Sequence, residues 1–75
     1  MLRLMDRLAA LKLFVRAVET GSFTRAAAEA RLSQPQASRA VAALEAELGA
    51  RLLQRSTRRL STTEAGERVY EQALR

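Results

Sequence analysis

The chain has no cysteine and no histidine. Without cysteine there is no disulfide staple and no thiolate metal site. Without histidine the commonest general base and metal ligand at neutral pH is missing. Glycine-rich phosphate loops are absent too, so an enzyme is the weakest reading and no cofactor is expected. No run is long or apolar enough to span a bilayer, and Met1-Leu2-Arg3-Leu4-Met5 lacks the apolar region of a secretory signal. A cytoplasmic protein without a membrane partner is expected, with translation starting at Met1 or Met5. Aromatics are scarce. Phe14 and Phe23 lie at core positions, which leaves only Tyr70 exposed to stack on an unpaired base.

What the chain does have is arginine and alanine. Its 75 residues make one small domain, 48% hydrophobic, with a net charge of +5. That balance points to a polyanionic partner. The acids fall outside two windows, Ser33 to Leu44 and Gly49 to Thr63, and the second carries Arg51, Arg55, Arg58 and Arg59. A phosphate backbone can approach there.

Helical spacing of Leu8, Leu11, Phe14, Val15 and Val18 predicts a first helix over Asp6 to Thr20, with Asp6 as N-cap and Gly21 as terminator. Ser22 caps a short second helix ending near Arg31, its buried side formed by Phe23, Ala26, Ala27, Ala30 and Leu32. Ser33-Gln34-Pro35-Gln36 fits a capping box, with proline in the tolerant first turn. The third helix then runs on the stripe Ala37, Val41, Leu44, Leu48 to Gly49. Only a few residues separate helices two and three, the spacing of a helix-turn-helix. Arg51 to Arg55 and Leu60 to Thr62 read as two short strands around a basic turn, and Thr63 caps a fourth helix through Val69, Tyr70 and Leu74. The fold class expected is mainly α: a winged helix-turn-helix with a three-helix core, a short β-hairpin wing and the start of a C-terminal helix. Residues 1–62 are expected to form this winged unit, and 63–75 to begin a fourth helix.

A recognition helix meets base edges with its N-terminal turns and needs short or amide side chains there, with no acid. Gln34, Pro35, Ser38, Arg39 and Ala42 fall beside one another, off the apolar stripe. Gln34 could pair with adenine, Arg39 could read guanine or hold a phosphate, and Pro35 and Ala42 could touch a thymine methyl. Ser38 and the free N–H groups at Ser33 to Gln36 could bind phosphate. The plain alternative is a solvated helix cap. For the wing, Arg55, Arg58 and Arg59 point to phosphate or the minor groove, against a solvated basic loop. Thr24 and Arg25 stand where a second helix commonly meets phosphate.

Several blocks, in order and with consistent gaps, carry a family pattern: Leu11-Lys12-Leu13-Phe14, Glu19-Thr20-Gly21-Ser22-Phe23-Thr24-Arg25-Ala26-Ala27, Leu32-Ser33-Gln34-Pro35-Gln36-Ala37-Ser38-Arg39, Leu44-Glu45, Leu48-Gly49, Leu52-Leu53-Gln54-Arg55 and Thr63-Glu64-Ala65-Gly66. From Met5 onward the chain resembles the N-terminal domain of LysR-type transcriptional regulators. The resemblance implies sequence-specific binding of double-stranded operator DNA as a dimer or tetramer. It places Gln34, Pro35, Ser38 and Arg39 in the major groove, Ser33 and Thr24 on phosphates and the wing arginines in the minor groove. It also makes residues 1–62 the DNA-binding domain and residues 63–75 the start of a linker or dimerisation helix that pairs two domains. Leu53 stands where the family usually has phenylalanine, and Thr62 where an apolar residue is frequent. The family's sensor domain lies beyond these residues, so no small-molecule effector site is expected within them. Thr63 to Arg75 would span roughly 20 Å as a helix. Self-association through helices one and four is therefore expected to be weak, a monomer or weak dimer in dilute solution. The rival readings are an interaction module that titrates full-length regulators, and an RNA-binding winged helix.

Overall fold

The computed structural model describes residues 3–56 and 59–75, with Arg55, Ser56 and Arg59 as backbone alone. The order is α1 (Leu4–Thr20), α2 (Phe23–Glu29), α3 (Gln34–Leu48), β1 (Leu53–Ser56), β2 (Arg59–Thr62) and α4 (Glu64–Ala73). This is the mainly helical, winged helix-turn-helix arrangement expected.

The helix ends follow local chemistry. Ser22, Ser33 and Thr63 each accept a backbone N–H at the start of α2, α3 and α4. The capping box of α3 is complete: the Ser33 side chain accepts from the Gln36 N–H, and the Gln36 side chain accepts from the Ser33 N–H. Gly21 and Gly49 end α1 and α3 in the left-handed region (φ 70 and 71). Arg31 takes the same conformation (φ 60) without being glycine. It sits in a Schellman turn, in which the Leu32 N–H reaches the Ala27 carbonyl and the Arg31 N–H the Ala28 carbonyl (2.9 and 3.0 Å). That turn links α2 to α3.

Some boundaries differ from the sequence expectation. α1 begins at Leu4, not Asp6, with Arg3 as an N-cap that makes no side-chain bond. Asp6 lies inside the first turn, where its charge faces the positive end of the helix dipole. α2 ends at Glu29, before Arg31. β1 starts at Leu53 rather than Arg51, and β2 starts one residue earlier than expected.

α1 is the hub on which both α2 and α3 pack, and it also meets α4 and β2. The core among the described residues is Ala10, Leu13, Phe14, Ala17, Ala26, Ala27, Ala37, Val41, Leu44, Leu52 and Leu53. Five of these eleven are alanines, spread over α1, α2 and α3. They contribute little area, so most of the hydrophobic stabilisation comes from Leu13, Phe14, Val41, Leu44, Leu52 and Leu53, at about 1.5–3 kcal/mol each for the larger side chains. Leu53, at the position where phenylalanine is usual, is fully buried. Leu8 and Leu48, expected on the buried stripes, are 51% and 47% exposed. Ala30 is exposed as well. Leu8 lies in the second turn of α1, Leu48 is the last residue of α3 and Ala30 is the C-cap of α2.

The hairpin is antiparallel, pairing Leu53 with Thr62, Gln54 with Ser61, Arg55 with Leu60 and Ser56 with Arg59. Its base is joined to α4 through Thr63, whose N–H donates to the Leu52 carbonyl (3.1 Å) and whose hydroxyl donates to the Arg51 carbonyl. Gly66 lies directly against that same strand root. A β-carbon there would stand 2.1 Å from the Leu52 carbonyl oxygen.

A surface network ties α1 to α2 and α4. Arg16 donates to both carboxylate oxygens of Glu29 (2.8 and 3.0 Å) and to Glu19 (2.9 Å), and the Tyr70 hydroxyl donates to Glu19 (3.2 Å). The Arg16 bond holds Glu29 below the usual carboxylate range. Burial, then the Glu19 charge and its hydrogen bond, push the Tyr70 phenol up. Tyr70 is the sole tyrosine, so absorbance against pH reports it directly. The expected midpoint lies above the ordinary phenol value of about 10 and moves only part of the way back in Glu19→Gln, because burial, the largest single cause, remains. A raised phenol contributes stability that is fully present below the unfolded value and lost as pH rises through the folded one. A midpoint at the free-tyrosine value would show that α4 does not rest on α1.

Candidate nucleic-acid interface

The first two turns of α3 present a compact polar surface. Ser33, Gln34, Pro35 and Arg39 are exposed and Ser38 is half-buried. Positions 34 and 35 stand one helical turn from 38 and 39, so the four share one side of the helix. Pro35 occupies the first turn, where a missing N–H costs nothing. Ala42 continues this side one turn further and is exposed as well. No acidic side chain pairs with Arg39 among the described residues.

Each flank of this surface is defined by a neighbouring element. On the α2 side, the Gln34 Nε2 donates to the Thr24 Oγ1 at 2.9 Å. Two residues singled out separately in the sequence, one for bases and one for phosphate, are therefore in direct contact. On the α1 side, Arg39 borders a shallow groove together with Asp6, Ala9, Leu13 and Leu32. On the hairpin side, Ala42 lines a second groove with Glu45, Ala46, Gly49 and Arg51. Ser33 spends its oxygen lone pair on the Gln36 N–H, which leaves its hydroxyl proton to donate outward.

Glu45 has a role the sequence reading did not assign. Its side chain is 11% exposed, and one carboxylate oxygen accepts the N–H groups of both Leu52 and Leu53 (2.7 and 3.2 Å). Arg51 Nε lies 3.8 Å from the same oxygen. The acid is thus turned away from the outer surface of α3 and clamps the root of the hairpin to the helix. Glu47, the next acid, pairs with Arg7 of α1. The one available signal was position: an acid on the last turns of a helix, just ahead of a segment whose first residues have no strand partner.

Of the arginines expected on the wing, Arg55 and Arg59 lie on paired strands, in register with Leu60 and Ser56 respectively. Arg58 lies outside the described residues. Thr62, at the hairpin exit, is half-buried. Among the described residues no group of His, Cys, Asp or Glu could hold a metal ion, and no helix is long and apolar enough to cross a membrane.

Residues 8–67 match the sequence profile described as bacterial regulatory helix-turn-helix protein, lysR family. The chain is 46% identical over 71 residues to the transcriptional activator AaeR of Escherichia coli, covering 95% of this chain and 23% of that protein. It is 46% identical over 65 residues to the regulator CrgA of Neisseria meningitidis, covering 87% of this chain and 22% of that protein. The chain thus spans about a quarter of the length of these curated relatives. Among solved structures, the BenM DNA-binding domain in complex with catB site 1 DNA superposes with a TM-score of 0.82 at 43% identity, covering 89% of this chain and 74% of that one. Oxidised OxyR of Corynebacterium glutamicum gives a TM-score of 0.83 at 43% identity, over 89% of this chain and 22% of that one. The fold, the capped second and third helices and the sequence profile agree, and the chain belongs to the LysR family of bacterial helix-turn-helix regulatory proteins.

Proposed function

We infer that this chain binds double-stranded operator DNA sequence-specifically, as the DNA-binding domain of a transcriptional regulator acting in the cytoplasm. α3 enters the major groove with Gln34, Pro35, Ser38 and Arg39 on base edges. Thr24 and Ser33 hold phosphates. Arg55, Arg58 and Arg59 reach phosphate or the minor groove. Residues 1–62 form the binding unit, and 63–75 begin the helix through which two copies pair. The observation that carries this reading is the exposed N-terminal surface of α3, whose first turns hold no acid of their own helix; the nearest, Glu45, is turned into the hairpin root, and Glu47 pairs with Arg7 of α1. A groove lined with phosphates repels carboxylates, so this disposition suits a duplex. The DNA complex of the similar BenM domain supports it.

Exposed apolar side chains at the start of α1 (Leu4, Met5, Leu8) and near the end of α4 (Leu74) favour self-association through these two helices. The same faces could pair with full-length regulators. Pairing through these apolar side chains alone is weak, and the duplex brings the copies together.

The test is selection from a pool of random duplexes at two salt concentrations, followed by sequencing of the bound fraction. The expected outcome is an enriched inverted repeat, with Arg39→Ala losing the enrichment at the base pair it touches, a drop of about 1–3 kcal/mol in discrimination there. Salt-steep binding with no enriched motif would mean a phosphate grip alone. No binding at low salt would remove the reading.

A further inference from the structure

We propose that Thr24 is a specificity-determining residue: its hydroxyl fixes the orientation of the Gln34 side-chain amide, so that Gln34 reads adenine and rejects guanine. The inference rests on the reading of α3 as the major-groove helix and goes further, by naming the base and the residue that selects it.

A glutamine amide has one carbonyl oxygen, an acceptor, and one NH2 group with two donors. Free to turn, it can show a base either a donor and an acceptor or, flipped, its donors alone. Adenine offers an acceptor at N7 and a donor at N6, whereas guanine offers acceptors at both N7 and O6. The orientation of the amide therefore decides which purine fits.

In this structure the choice is made by a neighbour on another helix. The Gln34 Nε2 donates one hydrogen to the Thr24 Oγ1 at 2.9 Å, and both side chains are exposed. One N–H and the carbonyl oxygen remain, the pair that adenine matches. The opposite orientation would need the Thr24 hydroxyl to donate to the Gln34 carbonyl. That is excluded once the hydroxyl proton is given to a phosphate oxygen, which can only accept. A phosphate bound at Thr24 leaves its oxygen with no hydrogen-bond role except acceptor, and Gln34 must present its nitrogen to it. The backbone contact and the base contact are thus one linked chain, from phosphate to Thr24 to Gln34 to base.

The experiment uses the full chain and the best duplex from the random pool. Four versions of that duplex carry each base pair in turn at the position that Gln34→Ala renders indifferent. Wild type should prefer adenine over guanine there by about 10- to 100-fold. Thr24→Val keeps the side-chain shape but has no hydroxyl. It should bind all duplexes more weakly and cut the preference to within about threefold, because the amide is then free to flip. Thr24→Ser restores the hydroxyl and should restore the preference. In a Gln34→Ala background, Thr24→Val should change the preference no further. Circular dichroism confirms folding, since position 24 is on the surface. If Thr24→Val weakens binding uniformly and keeps the full adenine preference, Thr24 is a phosphate anchor alone and the proposal falls. Loss of the preference in Thr24→Ser as complete as in Thr24→Val also overturns it. A wild type that selects no motif overturns the major-groove reading itself, and this inference with it.

Discussion

Glu45→Ala should lower the stability of the domain by about 3 kcal/mol, because it strips the acceptor from two buried N–H groups at once. The Leu52 and Leu53 side chains are fully buried, and one Glu45 oxygen serves both backbone donors. Truncation leaves those donors facing an apolar surround, each costing about 1–3 kcal/mol if no water replaces the carboxylate. Glu45→Gln is the informative control. Its amide oxygen can take the place of the carboxylate oxygen and accept the same bonds without the charge, so the loss should be about 1 kcal/mol. In a domain of this size 1 kcal/mol corresponds to about 4–8 °C of midpoint, so thermal unfolding by circular dichroism separates the two variants readily. Equal midpoints for the alanine and glutamine variants would mean that water, not Glu45, satisfies the root of the hairpin.

Gly66→Ala should destabilise by roughly 2 kcal/mol, and here the sign is the test. Position 66 lies in the first turns of α4, where alanine is the better helix former by about 1 kcal/mol. If α4 were merely an extension in solvent, the substitution would therefore stabilise. Instead the new methyl would meet the Leu52 carbonyl oxygen at 2.1 Å, and its carbon at 3.0 Å. These are backbone atoms of a buried strand root, already fixed by the Thr63 N–H, and they cannot swing aside as a long side chain would. The helix must tilt away or the hairpin must shift. Gly21→Ala and Gly49→Ala meet no atoms within 4 Å and suffer only from their positive φ, which costs about 1–2 kcal/mol. A neutral or stabilising Gly66→Ala in chemical denaturation would show that α4 stands off the hairpin.

The features readable from the sequence were those with a local cause. Ser22, Ser33 and Thr63 cap the helices that follow them because each needs only its own next three residues. Gly21 and Gly49 end helices because a left-handed residue is needed there. The middle of each apolar stripe was equally plain, since Phe14, Ala37, Val41 and Leu44 face the core over the whole length of their neighbours. Stripes fail at their ends. Leu8 and Leu48 keep the spacing of core residues, yet both are left about half exposed among the described residues. Asp6 looked like a cap because aspartate is a good one, but the helix starts earlier and uses its charge instead. The candidate surface on α3 was visible as a set of residues, whereas its internal wiring was not. The Gln34–Thr24 bond spans ten residues, and the Glu45 bonds to Leu52 and Leu53 span seven and eight. Contacts of that reach depend on where the turn at Arg31 and the bend after Gly49 aim the chain, which residue spacing alone does not encode.

The alanines at the meeting of α1, α2 and α3 have a mechanical consequence. Ala10, Ala17, Ala26, Ala27 and Ala37 have no side-chain torsions to adjust. A contact between larger side chains can absorb a load by changing rotamers, but a contact between methyl groups is already at its closest approach and has no second setting. The spacing of α2 and α3 is therefore expected to be stiff, with the two helices meeting a partner as a single piece. On the proposed reading, a mismatch in groove width or phosphate spacing cannot be taken up inside the protein. The duplex has to bend or twist to fit, and sequences that deform easily gain an advantage even at base pairs that no side chain touches.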